Sequence, residues 1–267
     1  MSFTSYKRSV VRFISFKGVI ENFGSSIPAP VRKKVKGRHL RSAAFFDLDG
    51  TLLRGLMIQA FPRYLADRRK ISETFPSKID TVVDAYGKGT ISYMEVAKKV
   101  PKLYAAGIKG LKIDKVKIMA EGFMETYFPT KVFRYSKRLV RDARKLVDLT
   151  IAISGSPQEV VSEIGKYLPF DEIHGSLFTT KAGVYTGKVK RNLILGKPKG
   201  DLIDELSHCL MIDLSRSLAF GDTDQDGPVL RRVSLPMAIN PNPSLLKLCI
   251  RNHWPWYAEE NPLRLVN

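Results

Sequence analysis

The sequence predicts an α/β protein with a mostly parallel sheet, and three observations lead to this prediction. Short apolar runs typical of buried strands alternate with longer segments of helical periodicity. The better-defined runs end in Gly, Ser or Asp, which favour turns. The chain has 267 residues, enough for a full core and a smaller inserted segment.

The predicted strands are short and bounded by polar residues. One pair of them, Ile173–Thr180 and Val184–Val189, flanks Ala182-Gly183 and is expected to form a hairpin. The other predicted strands are Ala43–Phe46, Leu149–Ile153, Leu218–Phe220 and Met237–Ile239.

A long, rather polar helical region separates the first predicted strand from the others. Its expected helices are Leu56–Arg68, Ser72–Tyr86, Ser92–Ala105 and Leu111–Tyr127. Further helices are expected over Pro129–Leu146, Gln158–Tyr167 and Lys199–Ser207. We therefore expect a basic N-terminal extension (1–42), a core (43–55 and 131–267) and an inserted helical unit (56–130).

The charge of the chain is uneven. It carries 44 Lys or Arg and 26 Asp or Glu, for a formal charge of +18. Residues 1–42 hold ten of the basic residues and a single acid, Glu21, so half of the excess lies there. Residues 3–23 mix apolar and basic positions. This pattern is compatible with a helix packed on the main domain, a helix on an anionic membrane surface, or a transit-type presequence.

The charge, the hydropathy and the cysteine content indicate where the protein is located and which partners it binds. We expect a cytoplasmic protein, with peripheral membrane contact through residues 3–38 and organelle targeting as open alternatives. Nucleic-acid binding is not favoured, because no aromatic-rich basic platform or known binding module accompanies the charge. No uncharged apolar run is as long as a membrane span. Cys209 and Cys249 lack partners at metal-binding spacing and fit a reducing compartment.

The strongest chemical signal is the segment Asp47-Leu48-Asp49-Gly50-Thr51, directly after the first predicted strand. Two carboxylates at a strand end repel each other unless a cation or a shared proton offsets the charge. One carboxylate can attack phosphorus, and the second can protonate the leaving alkoxide and then activate water. Gly50 permits a sharp turn at the strand exit. The alternative is an ordinary strand-to-loop turn, since Asp and Gly favour turns.

Three further segments carry groups that suit the same reaction. Ser154-Gly155-Ser156 precedes a predicted helix and offers a hydroxyl and amides to an anion, although an ordinary helix N-cap explains this tripeptide better. A cation before the next strand would neutralise charge, and Lys199 is the candidate, with Lys197 as its competitor. The acidic segment from Gly221 to Asp226 ends another strand. Because parallel strands end at one edge of a sheet, all four segments are expected to converge.

Mg²⁺ is the expected cofactor, because it prefers oxygen ligands and is usually held by one or two carboxylates with phosphate and water. Asp47, the backbone carbonyl of Asp49, and Asp222 form the predicted half-shell of ligands. Asp226 is expected to be a further ligand or an acceptor just outside that shell.

Together these segments resemble the motifs of the haloacid dehalogenase superfamily of phosphohydrolases, from roughly Arg41 to the C-terminus. The resemblance implies a Rossmann-like core with a helical cap of the C1 type. It implies a Mg²⁺-dependent phosphomonoester hydrolase that works through an aspartyl-phosphate, with Asp47 as nucleophile and Asp49 as general acid and base. The implied phosphoryl-binding residues are Thr51, Ser154, Gly155 and Lys199, and the implied metal ligands are Asp47, Asp49, Asp222 and Asp226.

The chain also resembles the branch of that superfamily that contains phosphoserine phosphatase, through Gly183–Gly187 and Ile239–Pro243. It differs from phosphoserine phosphatases at Gly155-Ser156-Pro157, where they have Gly-Gly-Phe. It also lacks, around Arg54-Gly55-Leu56, the acid with which they grip the substrate amine. We expect a small phosphate ester or a phospholipid-precursor phosphate as substrate. A phosphotransferase that uses the same intermediate and a non-catalytic binding protein on the same fold remain alternatives.

Overall fold

The computed structural model describes residues 34–35 and 38–259. The predicted basic helix over residues 3–23 lies outside the described residues. Strands β1 (Lys34–Val35) and β2 (Arg38–His39) form a small antiparallel pair that precedes the main sheet. None of the helices in the described ranges is both long enough and apolar enough to span a membrane.

The main sheet has seven strands. Its central strand is the first strand that the sequence predicts. The strands are β3 (Ala43–Phe46), β4 (Leu149–Pro157), β5 (Glu172–Lys181), β6 (Val184–Arg191), β7 (Leu218–Gly221), β8 (Leu235–Ile239) and β9 (Trp256–Tyr257). Their order across the sheet is β6-β5-β4-β3-β7-β8-β9, and every pair is parallel except the β5–β6 hairpin. The predicted α/β fold with a mostly parallel sheet is therefore confirmed.

Helices cover both faces of this sheet. Between β3 and β4 lie α1 (Met57–Asp67), α2 (Thr74–Gly87), α3 (Tyr93–Ile108), α4 (Ile113–Lys131) and α5 (Ser136–Arg144). The later helices are α6 (Gln158–Ser162), α7 (Gly196–Cys209), α8 (Gly227–Leu230) and α9 (Pro243–Asn252). Side chains alternate across β3, so that Phe46 packs with the helices that follow β3 and Phe45 packs with α7 and α9 on the other face.

The sequence explains why α3 forms where it does. Ser92 caps its start, because the Ser92 hydroxyl accepts from the Glu95 amide while the Glu95 carboxylate accepts from the Ser92 amide. Buried apolar residues then recur at four-residue spacing, at Val96, Val100 and Tyr104. The helix therefore buries one face and exposes the other.

Two expectations about local structure are wrong. β4 does not end at Ile153 but continues through residues 154–157. The next helix, α6, begins at Gln158 as predicted, and it passes into a 3-10 turn at Glu163–Lys166. The helix expected over Pro129–Leu146 is interrupted after α4, because the amide of Phe133 donates to the carbonyl of Leu52 at 3.1 Å. That pairing returns the chain to the residues after β3. The sequence analysis also missed α8, α9 and the two-residue strands β1, β2 and β9.

The turn between α3 and α4 is bonded to the β5–β6 hairpin. The amide of Gly110 donates to the carbonyl of Tyr185 at 2.9 Å, and the amide of Tyr185 donates to the carbonyl of Leu111 at 3.0 Å. The amide of Ile113 donates to the carbonyl of Gly183 at 3.0 Å. These backbone bonds hold the helical segment 57–131 against the hairpin.

Candidate active site

A tight turn places the first acidic segment at the carboxyl end of β3. The amide of Asp47 donates to the carbonyl of Phe220 at 3.0 Å, so the chain leaves β3 beside β7. Gly50 has a φ of 86°, and a Cβ built on it would lie 2.0 Å from Oδ2 of Asp222. Only glycine satisfies both constraints. The missing side chain therefore allows the two acidic segments to approach each other.

Three carboxylates from the two segments meet at this edge of the sheet. Asp47, Asp222 and Asp226 each place one oxygen within 4.8 Å of the other two. Thr51 supports the group, because its hydroxyl donates to Oδ1 of Asp222 at 3.3 Å. The first and the last of the four segments predicted to converge therefore meet.

Lys199, and not Lys197, reaches the carboxylates. The Lys199 ammonium donates to Oδ1 of Asp47 and to Oδ1 of Asp226, each at 2.6 Å, and the residue is 4% exposed. The Lys197 side chain is 86% exposed and pairs with Asp201 at 2.7 Å on the surface. Both residues lie in the first turns of α7, but only one of them faces the strand ends.

Asp226 shapes the loop that carries Asp222. Its Oδ2 accepts from the amides of Asp222 at 3.2 Å and Thr223 at 3.0 Å, and from the Thr223 hydroxyl at 3.1 Å. Its Oδ1 accepts from Lys199. Both oxygens of Asp226 are thus already paired within the protein. Asp226 is therefore better suited to be a hydrogen-bond acceptor beside the metal ligands than to be a direct ligand.

The Asp49 side chain faces a separate set of donors. Its Oδ1 accepts from the amide of Met57 at 2.9 Å, and its Oδ2 accepts from the hydroxyls of Ser156 at 2.6 Å and Ser154 at 3.1 Å. These donors fix the orientation of the Asp49 carboxyl group. The metal ligand that the sequence predicts from Asp49 is its backbone carbonyl, and not this side chain.

The tripeptide Ser154-Gly155-Ser156 does not form the expected helix N-cap, because it lies within β4. The Ser154 hydroxyl accepts from the amide of Ser156 at 3.0 Å, inside β4. A Cβ built on Gly155 would lie 2.5 Å from Cγ1 of Ile194, so the backbone passes close to that side chain. The Ser156 hydroxyl, which donates to Asp49, also accepts from the amide of Ile58 at 2.9 Å. Ser156 therefore ties α1 to the second carboxyl group.

Two supporting residues escaped the sequence analysis. The Tyr135 hydroxyl donates to the carbonyl of Thr51 at 2.7 Å. The Asn240 amide donates to that Tyr135 hydroxyl at 2.8 Å and to the carbonyl of Gly50 at 3.3 Å. The position of Asn240 directly after β8, at a strand end like the other groups, was the available signal.

Burial dominates the electrostatics of the acidic groups. It raises the pKa of Asp47 to about 7, with Lys199 opposing the shift and Asp226 adding to it. Burial also raises the pKa of Asp49 against the effect of its hydrogen-bond donors. The pKa of Asp222 lies well above its usual range because of burial and the neighbouring carboxylates, Asp47 first. The pKa of Lys199 is raised, since the two carboxylates outweigh the desolvation that lowers it.

The residues present fit a divalent cation. Among the described residues, four carboxyl groups (Asp47, Asp49, Asp222 and Asp226) surround a single ammonium group, so the side chains described there do not balance their negative charge. Oxygen donors from carboxylates and a backbone carbonyl are the ligands that Mg²⁺ prefers. The unpaired oxygens of Asp47 and Asp222 are the groups available to hold it.

A cavity of about 280 Å³ opens above these groups. Its floor contains Asp47, Asp49, Lys199 and Asp222, and residues of α1, α2 and α3 form much of its walls. A ligand that touches the carboxylates therefore also touches the helical segment.

Comparison with known proteins identifies the family. Residues 44–231 match the model of haloacid dehalogenase-like hydrolases. An inhibition of morphological differentiation protein from Streptomyces azureus is 28% identical over 232 residues, which cover 84% of this chain and 81% of the relative. A phosphoserine phosphatase of Mycobacterium tuberculosis is 26% identical over 242 residues, covering 85% and 75% of the two chains.

A solved structure gives the same result for the fold. The structure of a phospho-aspartyl intermediate analogue of phosphoserine phosphatase superposes with a TM-score of 0.58 at 18% identity, covering 85% of this chain and 97% of that one. The resemblance inferred from the motifs is thereby confirmed. The chain belongs to the haloacid dehalogenase-like hydrolase family.

Proposed function

We propose that this phosphatase is a Mg²⁺-dependent phosphomonoester hydrolase that works through a phosphorylated Asp47. The observation that carries the proposal is the position of the Asp47 carboxylate. It lies on the floor of a cavity, 2.6 Å from the Lys199 ammonium, and next to a second carboxyl group that three donors hold in place. This arrangement provides a nucleophile and a separate proton carrier.

The first half-reaction forms a bond from an Asp47 oxygen to phosphorus while the bond from phosphorus to the leaving alcohol oxygen breaks. Asp49 gives its proton to that leaving oxygen. Burial supports this role, because the raised pKa of Asp49 favours the protonated form. The hydrogen bonds from Met57, Ser154 and Ser156 orient the carboxyl group toward one position.

The second half-reaction returns the enzyme to its starting state. Asp49 takes a proton from water as the water oxygen attacks phosphorus and the bond from phosphorus to Asp47 breaks, which releases inorganic phosphate. In the proposal, Lys199 contacts the phosphoryl oxygens, together with Thr51, Ser154 and Gly155. Asp47, the Asp49 carbonyl and Asp222 would hold Mg²⁺, with Asp226 beside them. The ion would supply positive charge that stabilises the phosphoryl oxygens.

The proposal assigns a task to two of the three predicted parts of the chain. Residues 43–55 and 131–267 would form the catalytic core, and residues 56–130 would form a cap that excludes bulk water from the cavity. The basic extension, residues 1–42, is outside this scheme. Its contact with anionic membranes through residues 3–38 stays a prediction, which sedimentation with anionic liposomes, with and without residues 1–40, would check.

A phospho-enzyme experiment tests the proposal. The purified chain is incubated with p-nitrophenyl phosphate and Mg²⁺, quenched in acid, digested, and mapped by mass spectrometry. We expect Mg²⁺-dependent release of p-nitrophenol and a phosphorylated peptide that contains Asp47. Turnover with no phosphorylated peptide, in wild type and in a slow Asp49→Asn variant that would accumulate it, contradicts the covalent route. Addition of an acceptor alcohol, followed by product analysis, separates hydrolysis from phosphotransfer.

A further inference from the structure

The walls of the cavity differ in chemistry from its floor. Every Asp, Glu, Lys, Arg or His side chain that lines the cavity, within the described part of the chain, belongs to the floor: Asp47, Asp49, Lys199 and Asp222. The floor groups are the ones assigned above to the phosphoryl group and the metal. The remaining lining is largely aliphatic, from Leu56, Ile58, Val83, Val96, Val100 and Ile194.

The uncharged polar residues of the lining are mostly occupied. The Asn242 amide donates to Oδ1 of Asp224 at 3.1 Å, and its carbonyl oxygen accepts from the amide of Leu245 at 2.7 Å. The Thr223 hydroxyl donates to Asp226. Two tyrosines, Tyr86 and Tyr93, contribute aromatic surface with a hydroxyl each. None of these residues carries a charge that could pair with a charged group on a ligand.

The helices keep this lining apolar for a structural reason. Val96 and Val100 are four residues apart on the buried face of α3, and Val83 and Tyr86 are three residues apart on α2. Each helix therefore turns one continuous side toward the cavity. The charged residues that accompany them, such as Asp84 and Lys99, are exposed to solvent.

From this division we infer that the substrate is the phosphate monoester of an uncharged, mainly apolar alcohol small enough for a cavity of about 280 Å³. The inference rests on the proposed function and adds its substrate class. With the phosphate on the floor, the alcohol portion lies against the aliphatic walls and releases water from them. An ammonium or carboxylate on that portion would lose its hydration without gaining a partner. O-phosphoserine, which carries both charges, is accordingly a poor substrate.

A matched series of substrates tests the inference on the full chain with Mg²⁺. The series is n-butyl phosphate and two butyl phosphates of equal chain length that bear a terminal ammonium or a terminal carboxylate. We expect kcat/KM for the neutral ester to exceed that of each charged ester by at least about tenfold, since an unpaired charge in an apolar site is costly. Equal or higher kcat/KM for either charged ester overturns the inference, while it leaves the hydrolase proposal standing.

A binding measurement tests the preference of the cavity for neutral ligands in the absence of turnover. Calorimetric titration with the three corresponding phosphonates, which cannot be hydrolysed at the carbon–phosphorus bond, gives their affinities in the presence of Mg²⁺. We expect the neutral phosphonate to bind at least about tenfold more tightly than the charged ones. If no ester is hydrolysed but this preference is present, the hydrolase proposal fails and the cavity preference holds. If the three affinities are equal, the inference fails.

A pair of variants on one helix links the preference to the walls. Val83 is half-buried and lines the cavity, whereas its neighbour Val82 is half-buried and does not line it. We expect Val83→Lys to raise kcat/KM for the carboxylate ester relative to the neutral ester by about tenfold, the equivalent of one modest ion pair. Val82→Lys should leave this ratio unchanged. The same ratio in both variants, with folding verified by circular dichroism, contradicts the placement of the alcohol portion against α2.

Discussion

The floor and the walls of the cavity are built by different means. The floor brings together side chains from the ends of β3, β4 and β7 and from α7, and hydrogen bonds fix most of them in place. The walls come largely from α1, α2 and α3 and are lined by aliphatic groups. Under the proposal, the reaction would therefore depend on strand register and paired charges, whereas substrate choice would depend on helix packing.

The largest expected effect is on the floor. Asp47→Asn removes the proposed nucleophile while keeping its shape, so we expect kcat to fall by at least about a thousandfold with the fold intact. The measurement is Mg²⁺-dependent hydrolysis of p-nitrophenyl phosphate, with circular dichroism as the check on folding. The matched control is Asp84→Asn, because Asp84 is an exposed acid on α2. If the two variants are equally active, Asp47 is not the nucleophile.

Removal of the metal should also affect the floor of the cavity. We expect EDTA to reduce activity to background and added Mg²⁺ to raise the thermal midpoint of the folded chain. At a concentration of one hundred times Kd, a ligand stabilises the native state by about 2.7 kcal/mol. Asp222→Asn should reduce this thermal shift, because it removes one of three carboxylates whose oxygens lie within 4.8 Å. An equal Mg²⁺-induced shift in wild type and variant would show that the ion binds elsewhere.

The two lysines of α7 offer a third comparison. Lys199 touches Asp47 and Asp226, so Lys199→Met should lower kcat by about a hundredfold or more, as loss of a preorganised electrostatic contact does. Lys197→Met changes an exposed residue of the same helix and should leave kcat within about twofold. Steady-state kinetics on both purified variants decide the matter. A similar loss in both would point to the helix as a whole and not to one ammonium group.

The smallest expected effect concerns the packing behind the walls. The buried Tyr104 hydroxyl has no hydrogen-bond partner among the described residues, whereas the Tyr185 hydroxyl donates to Glu159. Tyr104→Phe should therefore leave the free energy of unfolding unchanged or raise it by up to about 1 kcal/mol, and Tyr185→Phe should lower it by about 1–2 kcal/mol. Urea unfolding of both variants measures the difference. A larger loss for Tyr104→Phe would mean that this hydroxyl is paired.

Much of the floor could be predicted from the sequence, because strand ends are marked by local signals. An apolar run followed by Asp-x-Asp-Gly indicates both the strand and the residues at its end, and parallel strands bring such ends together. The choice between Lys199 and Lys197 was harder. It depends on how α7 is rotated, since residues two apart lie on nearly opposite sides of a helix.

Other features depend on contacts between distant residues and were not predictable. The link from Ser156 to Asp49 and Ile58 needs the extension of β4 beyond Ile153, which the turn-like residues Ser, Gly and Pro concealed. The bond from Asn240 to Gly50 joins residues 190 positions apart. The apolar walls arise from the way in which the helices pack in three dimensions. The periodicity of each single helix is clear from the sequence, but it does not reveal this packing.

The backbone bonds between the α3–α4 turn and the β5–β6 hairpin have a mechanical consequence. Segment 57–131 is attached where its two ends meet, at the bridge between Leu53 and Val132, and again where Gly110 and Leu111 meet Tyr185. The amide of Ile58 also donates to the Ser156 hydroxyl at 2.9 Å, and the Asn192 side-chain amide donates to the carbonyl of Ala97 at 2.7 Å. Movement of this segment away from the hairpin and β4 would therefore break hydrogen bonds at several separate points.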